Sequence, residues 1–306
     1  MRIAYKWKLR SRALELGHRT RVMGVLNVTP DSFSDGGLVR TTEEAVERGL
    51  QLMEQGADIL DIGGESTRPG AKVGAGGLGL AGAVTADEEC ARILPVIRGL
   101  RRMRPEVLIS VDTYKVEVAR RALEAGAEIV NDVSGMTWDR HMAQMVARAG
   151  CGLVMMHTRG IPAEWRDLPR EPKIVELVKR DLGELVAAAL GAGIARERIV
   201  LDPGFGFGKN FEENLPLLAR FEEFAELGFP LMAGTSRKSF LGRAAAKRLT
   251  EITGEAVQDL PPSQRLGGTL ASTAIAVMKG AHIVRVHDVR ATIEAIAVVD
   301  EMMEAE

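Results

Sequence analysis

The sequence predicts a (β/α)8 TIM barrel, in the α/β class, with its active site at the C-terminal ends of the strands. Eight short aliphatic runs alternate with helical patterns along the 306 residues, and most of these runs end in a polar residue. Such alternation is typical of βαβ units with parallel strands. The chain is long enough for one barrel of about 250 residues, and we find no linker that would divide it. We therefore expect a single domain over residues 1–306.

The predicted strands are nearly continuous aliphatic runs, as expected for parallel strands buried on both faces. They cover residues 21–28, 59–61, 108–112, 129–132, 153–156, 199–202, 231–233 and 283–286. Helical periodicity predicts helices over residues 42–55, 86–102, 116–125, 140–149, 174–192, 213–226, 266–279 and 289–303. Two stretches depart from this pattern, the glycine-rich residues 70–84 and the connection 242–263, and long loops of this kind are usually lids or disordered segments.

Composition excludes several classes of protein. The formal net charge of −2 provides no basic field, so we expect a small phosphorylated ligand and no nucleic-acid partner. Cys90 and Cys151 are too few for a disulfide framework, which indicates a reduced, cytoplasmic protein. The first nine residues have no signal-peptide core, and no run approaches the roughly 18 apolar residues that span a bilayer, so we expect no membrane partner.

Three strand ends carry acids or an amide, namely Asp112, Asn131 and Asp202. Such groups are costly at the ends of buried strands unless they are hydrogen-bonded. A nitrogen-rich heterocycle would satisfy them, because a carboxylate accepts two parallel hydrogen bonds from an amino-imino edge. The alternative is that each residue caps the helix that follows it.

The first two loops carry further polar groups. Asn27 ends the first strand, and its neutral oxygen is a suitable ligand for Mg²⁺, which is often held by few protein ligands together with substrate phosphates. Arg68 lies in the second loop among small and rigid residues, where its guanidinium suits a carboxylate or phosphate. The alternatives are a polar turn with a helix cap for the first loop and a surface arginine for the second.

The last strands contribute cationic or hydrogen-bond-donating groups. Strand alternation places Arg285 and His287 on the same side near strand eight, where barrels commonly bind phosphate, although a solvated charged edge is the competing interpretation. Lys209 stands where a dinucleotide fingerprint needs its third glycine, so that motif is absent. His157 lacks the spacing of a zinc site, and we interpret it as a structural histidine at a strand end.

Several long motifs resemble the dihydropteroate synthase family. They are MGVLNVTPDSFSDGG at residues 23–37, DIGGESTRPG at residues 61–70, the loop after Asp202 and the Ser236-Arg237-Lys238 loop, and the similarity extends over about residues 20–289. The resemblance implies a (β/α)8 barrel that condenses 6-hydroxymethyl-7,8-dihydropterin diphosphate with 4-aminobenzoate in folate biosynthesis. The products would be 7,8-dihydropteroate and pyrophosphate.

The resemblance also implies a role for each matching residue. The pterin would lie against Asp112, Asn131, Asp202 and Lys238, with Met156 nearby. The diphosphate would contact Arg285 and His287, and Asn27 would reach it through Mg²⁺. The aminobenzoate would occupy an outer site formed by Thr67, Arg68, Pro69, Phe207, Ser239 and the stem of Lys238.

Charge placement should dominate catalysis of such a reaction, because electron release from the ring favours a cation-like transition state at the pterin methylene. Asp35 and Asp112 would favour the positive methylene, and Lys238 would complete the catalytic set. The resemblance further implies a homodimer formed through helices of the later units.

Two other functions share the barrel and the pterin pocket. One is that of pterin-binding methyltransferases that serve corrinoid proteins, which would not need the aminobenzoate motif; the other is that of a catalytically silent pterin-binding paralogue. The residues of the outer site favour the synthase. One departure from the family is the glycine-rich insertion at residues 72–84, which affects how the second loop closes over the amine.

Overall fold

The computed structural model describes residues 2–29, 41–67, 70–74 and 83–305. The chain begins with an antiparallel hairpin of two strands, β1 (Tyr5–Lys8) and β2 (Ala13–Leu16). Eight parallel strands follow: β3 Arg21–Asn27, β4 Ile59–Gly63, β5 Ile109–Asp112, β6 Ile129–Asp132, β7 Gly152–Met156, β8 Ile199–Asp202, β9 Met232–Ala233 and β10 Ile283–Val286. These strands agree closely with the predicted ones.

The eight parallel strands form a nearly closed barrel. Their order is β8-β7-β6-β5-β4-β3-β10-β9, and a parallel bridge between Leu201 and Leu231 joins the two outermost strands. The backbone N–H of Leu201 also donates to the carbonyl of Pro230 at 2.9 Å. The predicted (β/α)8 TIM barrel is therefore confirmed.

Helices alternate with the strands around the barrel. They are α1 Thr42–Glu54, α2 Ala86–Met103, α3 Val116–Ala125, α4 Met142–Ala149, α5 Ile174–Gly191, α6 Phe211–Ala219, α7 Ser239–Thr253, α8 Leu266–Met278 and α9 Val289–Glu304. Thr41, Thr85 and Asn210 begin α1, α2 and α6 with reciprocal capping boxes. Within the described ranges, no helix has the length and apolar character needed to cross a membrane.

The structure corrects three parts of the predicted element order. Residues 242–263 were predicted as a long connection, but most of them belong to α7, whose buried face includes Phe240, Leu241 and Ala246. The helix predicted over residues 213–226 is divided into α6 and a 3-10 segment, Phe221–Leu227. The hairpin β1–β2 was not predicted.

The interior of the barrel has an apolar lower layer. It consists of one inward-facing side chain from most strands, namely Met23, Ile59, Leu108, Ile129, Val154, Val200, Met232 and Ile283. Side chains alternate between the two faces of a strand, so the residue two positions later faces inward again, one layer higher. This alternation positions the candidate site described below.

The hairpin β1–β2 closes the lower end of the barrel. Trp7, Leu9 and Leu16 are buried and belong to the same cluster as the lower layer of the barrel. The Trp7 indole also donates from Nε1 to the carbonyl oxygen of Arg198 at 2.8 Å. The lower end is therefore filled with apolar side chains, and polar side chains from the strand ends meet at the upper end.

Candidate active site

A ring of polar side chains lies above the apolar floor. Asp61 follows Ile59, Asn131 follows Ile129, Asp202 follows Val200 and Arg285 follows Ile283, each by two residues, while Asp112 follows Leu108 by four. Strand alternation therefore points all of these side chains into the barrel at its C-terminal end. Strands β4, β5 and β6 are neighbours in the sheet, where Asp112 pairs in register with Gly63 and Asn131, while β8 and β10 carry Asp202 and Arg285.

Arg285 connects two acids of this ring. Its Nε donates to Asp61 Oδ2 and its Nη2 donates to Asp112 Oδ2, both at 2.6 Å, and Asn131 Nδ2 donates to the same Asp61 oxygen at 3.0 Å. Burial opposes the charge of Arg285, but Asp61 and Asp112 outweigh it and raise the pKa of the guanidinium. Burial, with a smaller contribution from Asp61, raises the pKa of Asp112 to about 7, although Arg285 opposes this shift.

Asp202 and Lys238 complete the ring. Asp202 Oδ1 accepts a hydrogen bond from the backbone N–H of Gly204 at 2.7 Å, and burial raises the pKa of this carboxyl. Burial and the charge of Arg285 lower the pKa of Lys238 to about 8, although Asp202 opposes that shift. Lys238 Nζ lies 3.9 Å from the ring centroid of Phe207, which is a cation-π contact. The ammonium group thus lies between the acids and an aromatic ring.

His287 is a neutral donor in this site. Burial, with the charges of Arg285 and Arg237, lowers the pKa of His287 to about 3. Its backbone N–H donates to Ser236 Oγ at 3.2 Å, and the same oxygen lies 3.1 Å from His287 Nδ1. When the Ser236 hydroxyl donates to Nδ1, the neutral imidazole carries its proton on Nε2 and offers it as a donor. Of the two roles predicted for His287, the structure favours the hydrogen-bond donor over the cation.

An apolar cluster lies beside this ring. It contains buried side chains from the loops and from the end of β7, namely Val73, Tyr114, Val133, Trp138 and Met156, with Ile161, Trp165 and Phe207 packed against them. Met156 follows the floor residue Val154 by two positions. The cluster therefore provides an apolar wall next to the charged groups, as a flat heterocycle requires.

The other predicted site residues lie at the rim or outside the described residues. Thr67 is half-buried in the loop after β4, and Ser239 is exposed at the first position of α7. Asp35, Arg68 and Pro69 lie outside the residues that the structure describes. The structure brings the polar ring, Met156, Phe207 and Lys238 together and leaves these three positions as sequence predictions.

Asn27 supplies a donor that suits a hard cation. It ends β3, is half-buried and pairs in register with Gly63, next to the strand that carries Asp61. The described part of the chain contains no group of three or more His, Cys, Asp or Glu residues able to hold a metal. A neutral amide oxygen therefore fits Mg²⁺ only as one ligand among phosphate oxygens and water.

Comparison with known proteins decides the family. The family model for pterin binding enzymes matches residues 23–287. The dihydropteroate synthase of Escherichia coli K12 is 42% identical over 293 residues, which cover 96% of this chain and 95% of the relative. That of Bacillus subtilis is 40% identical over 291 residues, covering 95% and 91%.

The chain belongs to the dihydropteroate synthase family of pterin binding enzymes.

Solved structures of dihydropteroate synthases share the whole fold. That of Xanthomonas albilineans with 4-aminobenzoic acid has a TM-score of 0.82 at 42% identity and covers 98% of this chain and 99% of its own. The Yersinia pestis dihydropteroate synthase with a sulfonamide drug has a TM-score of 0.86 at 36% identity, with the same coverage. The predicted family and its transferase class are confirmed.

Two polar residues of the site were not predicted as site residues, Asp61 and Ser236. Asp61 does end a predicted strand, and its position two residues after Ile59 is the signal that places it in the ring with Asn131 and Asp202. Ser236 lies within the Ser236-Arg237-Lys238 motif by which the chain resembles dihydropteroate synthases. Its contact with His287 depends on the packing of two loops, which the sequence does not indicate.

His157 has the structural role predicted for it. Its Nε2 lies 3.2 Å from Asp181 Oδ2 on α5, and burial lowers its pKa to about 4. The carbonyl oxygen of His157 also accepts a hydrogen bond from Lys209 Nζ at 3.2 Å. Lys209, which excluded a dinucleotide motif in the sequence, is thus a buried structural lysine.

Proposed function

We propose that the chain condenses 6-hydroxymethyl-7,8-dihydropterin diphosphate with 4-aminobenzoate, giving 7,8-dihydropteroate and pyrophosphate. The observation that carries this proposal is the meeting of Asp112, Asn131 and Asp202 with Lys238 and Arg285 at one end of the barrel. Solved relatives support it, since Xanthomonas albilineans dihydropteroate synthase has been crystallised with 4-aminobenzoic acid and with 7,8-dihydropteroate.

The pterin heterocycle binds through its amino-imino edge to the acidic side chains at the strand ends. A carboxylate at Asp202 or Asp112 accepts two parallel N–H donors, and the amide of Asn131 donates to one ring atom and accepts from another. Arg285 donates to Asp112 Oδ2 at 2.6 Å, so the pterin edge would share this carboxylate with the guanidinium. Met156 and its apolar cluster cover one face of the heterocycle.

The diphosphate lies against the donors of β10. Arg285 supplies a guanidinium, and His287 supplies an N–H donor from a neutral imidazole. Asn27 would contribute one oxygen to a Mg²⁺ ion that the phosphates carry, and the ion would neutralise charge on the leaving group. We propose Mg²⁺ as the cofactor on this basis.

The reaction breaks the carbon–oxygen bond between the pterin methylene and the diphosphate and forms a carbon–nitrogen bond to the arylamine. The bonding electrons leave with pyrophosphate, and the new ammonium group releases its proton to water. Asp35 and the ionised form of Asp112 stabilise positive charge at the methylene, while Lys238 stabilises the departing anion. The arylamine is neutral, so the attack requires no strong base.

The amine binds at the rim of the barrel. Phe207 and the stem of Lys238 form one wall of this outer site, where the two side chains are in contact. The family resemblance adds Thr67, Arg68, Pro69 and Ser239 to this site, and a guanidinium such as that of Arg68 suits the carboxylate of 4-aminobenzoate. This order, with the pterin deep and the amine outside, brings the amine nitrogen towards the methylene.

The chain acts as a homodimer in the cytoplasm, and the later helices form the contact. Large apolar side chains are exposed on α7, α8 and α9, namely Leu249, Ile252, Leu266, Ile275, Met278, Val298 and Met302. An exposed apolar surface of this kind is typical of protein–protein contacts. The buried thiols Cys90 and Cys151 are free, as expected in a reducing compartment.

A pyrophosphate-release assay in which each substrate is omitted in turn tests this function. We expect release to require pterin diphosphate, 4-aminobenzoate and Mg²⁺ together, and to stop when EDTA is added. Lys238→Ala should abolish release, and Arg68→Ala should mainly raise the KM for the amine. Lys8→Ala, a change at an exposed lysine of the hairpin, is the control. Binding of pterin diphosphate without amine-dependent release would identify a silent pterin-binding protein instead.

A further inference from the structure

Tyr114 and Lys115, which have no role in the proposed reaction, follow Asp112 in the sequence by two and three residues. Lys115 Nζ donates to Glu65 Oε2 at 2.7 Å and to Glu89 Oε2 at 2.6 Å. The side chains of Glu65 and Glu89 are only 5% and 1% exposed, and that of Lys115 is 13% exposed. One ammonium group thus joins the loop after β4, which carries Glu65, to helix α2, which carries Glu89.

Tyr114 holds the same loop at a second point. Its hydroxyl accepts a hydrogen bond from the backbone N–H of Gly74 at 2.8 Å, and the Lys115 ammonium lies 4.9 Å from its ring centroid. The ring packs edge-to-face on Trp138, with 5.1 Å between centroids. Tyr114 is 3% exposed, so its hydroxyl is fixed in place.

The segment just before Gly74 is fixed to other parts of the rim. The backbone N–H of Gly70 donates to the carbonyl oxygen of Pro162 at 2.9 Å. Val73 is fully buried and belongs to the apolar cluster that contains Tyr114 and Met156. The start of the glycine-rich insertion is therefore docked onto the wall of the pterin pocket.

We propose that Tyr114 and Lys115 are positioning residues for 4-aminobenzoate binding. Lys115 holds the loop at Glu65, and Tyr114 holds it at Gly74. In the sequence, the residues of this loop that are proposed to bind the amine, 67–69, lie between these two points. Since both anchors follow Asp112 by two and three residues, they connect the pterin carboxylate to the amine loop. This inference rests on the proposed synthase function.

The charges of this cluster determine which substitutions are informative. Lys115→Met would leave two buried carboxylates without a cation, which destabilises a fold strongly. Tyr114→Phe removes the hydroxyl, which accepts from Gly74 and also interacts with Glu65 of the same loop, and keeps the ring packed on Trp138. Lys115→Arg keeps the positive charge and two or more donors, so it serves as the conservative variant of that position.

Steady-state kinetics of the full-length chain separate positioning from simple structural support. Loss of one net hydrogen bond predicts that Tyr114→Phe raises the KM for 4-aminobenzoate about fivefold. The dissociation constant of pterin diphosphate, measured by calorimetry without amine, should stay within about twofold of the wild-type value. Tyr5→Phe, at the other tyrosine of the chain, lies at the lower end of the barrel and should change neither quantity.

Three results would overturn the inference. The first is an unchanged KM for 4-aminobenzoate in Tyr114→Phe. The second is an equal loss of affinity for both substrates in that variant, which a general loosening of the fold would cause. The third is a wild-type KM for 4-aminobenzoate in a folded Lys115→Met variant. Lys115→Arg should keep the amine KM closer to the wild-type value than Lys115→Met. If the wild-type chain itself releases no pyrophosphate with 4-aminobenzoate, the proposed function fails. If the wild-type chain is active but its variants show no selective effect on the amine KM, only the positioning role fails.

Discussion

The guanidinium of Arg285 donates to the carboxylate of Asp61 at 2.6 Å, although Asp61 is completely buried. The second oxygen of Asp61 has no hydrogen-bond partner within the described ranges 2–29, 41–67, 70–74 and 83–305. A buried charge is tolerated when it is paired, and removal of its partner leaves an uncompensated charge. Asp61 therefore orients Arg285, which the proposed reaction needs at the diphosphate.

Asp61→Asn should lower kcat/KM for pterin diphosphate by at least about tenfold, since a misplaced Arg285 would cost roughly 1.4 kcal/mol or more of binding. The matched control is Asp58→Asn. Asp58 is also paired with arginines, Arg19 and Arg21, but follows α1 just before β4. The control should lose stability and keep kcat/KM per folded molecule. Equal kcat/KM for the two variants would show that Asp61 does not position Arg285.

The pH dependence of kcat/KM should follow Asp112 and Lys238. The pKa of Asp112 is raised to about 7, so this carboxyl is protonated below that pH and cannot accept the pterin edge. The pKa of Lys238 is lowered to about 8, so its positive charge is lost above that pH. We expect a bell-shaped profile of kcat/KM with its maximum between pH 7 and pH 8, because the pH dependence of kcat/KM reports pKa values of the free enzyme.

Lys238→Arg tests the alkaline side of this profile. An arginine stays charged over the whole range, so the fall above pH 8 should disappear in a variant that retains measurable activity. The acid side should be unchanged, because Asp112 is still present. A profile with the same alkaline fall in Lys238→Arg would assign that fall to another group.

Lys209→Met should lower the free energy of unfolding by about 2–4 kcal/mol, because it leaves buried carbonyl groups unsatisfied. Lys209 Nζ donates to the carbonyl oxygens of His157, Gly204 and Phe207 at 3.2, 2.8 and 3.2 Å. Denaturant unfolding measures the change. Lys8→Met, at an exposed lysine, is the control and should change stability by less than about 0.5 kcal/mol. A similar small change in Lys209→Met would contradict this account of the loop.

Trp7→Ala should lower the free energy of unfolding by about 3–5 kcal/mol, since it removes the largest buried side chain from the lower end of the barrel. The variant should keep the wild-type KM for both substrates at temperatures where it is folded, because the site lies at the opposite end. Trp7→Phe keeps an aromatic ring and loses the hydrogen bond to Arg198, so it should be less destabilised. A changed KM in either variant would argue against the separation of the two ends.

The barrel and most of the ring follow from local patterns in the sequence. Buried parallel strands are continuous aliphatic runs, and their polar C-terminal residues must gather at one end of a barrel, which places Asp112, Asn131 and Asp202 together. Counting in steps of two from the apolar floor also selects Asp61. The family motifs then indicate what this end of the barrel binds.

Other features depend on contacts between distant parts of the chain. The pairing of Arg285 with Asp61 and Asp112 joins residues 224 and 173 positions apart, so no local pattern indicates it. The neutral state of His287 follows from burial, which a single sequence does not show. The helix α7 was missed although residues 243–253, RAAAKRLTEIT, are mainly good helix formers, and its buried face includes Phe240 and Leu241.

A crystal soaked with pterin diphosphate tests the central claim most directly. We predict that one molecule contacts Asp112, Asn131 and Asp202 with its ring, and Arg285 with its diphosphate. A pterin bound elsewhere on the chain, or a ring that contacts none of these three side chains, would contradict the proposed site.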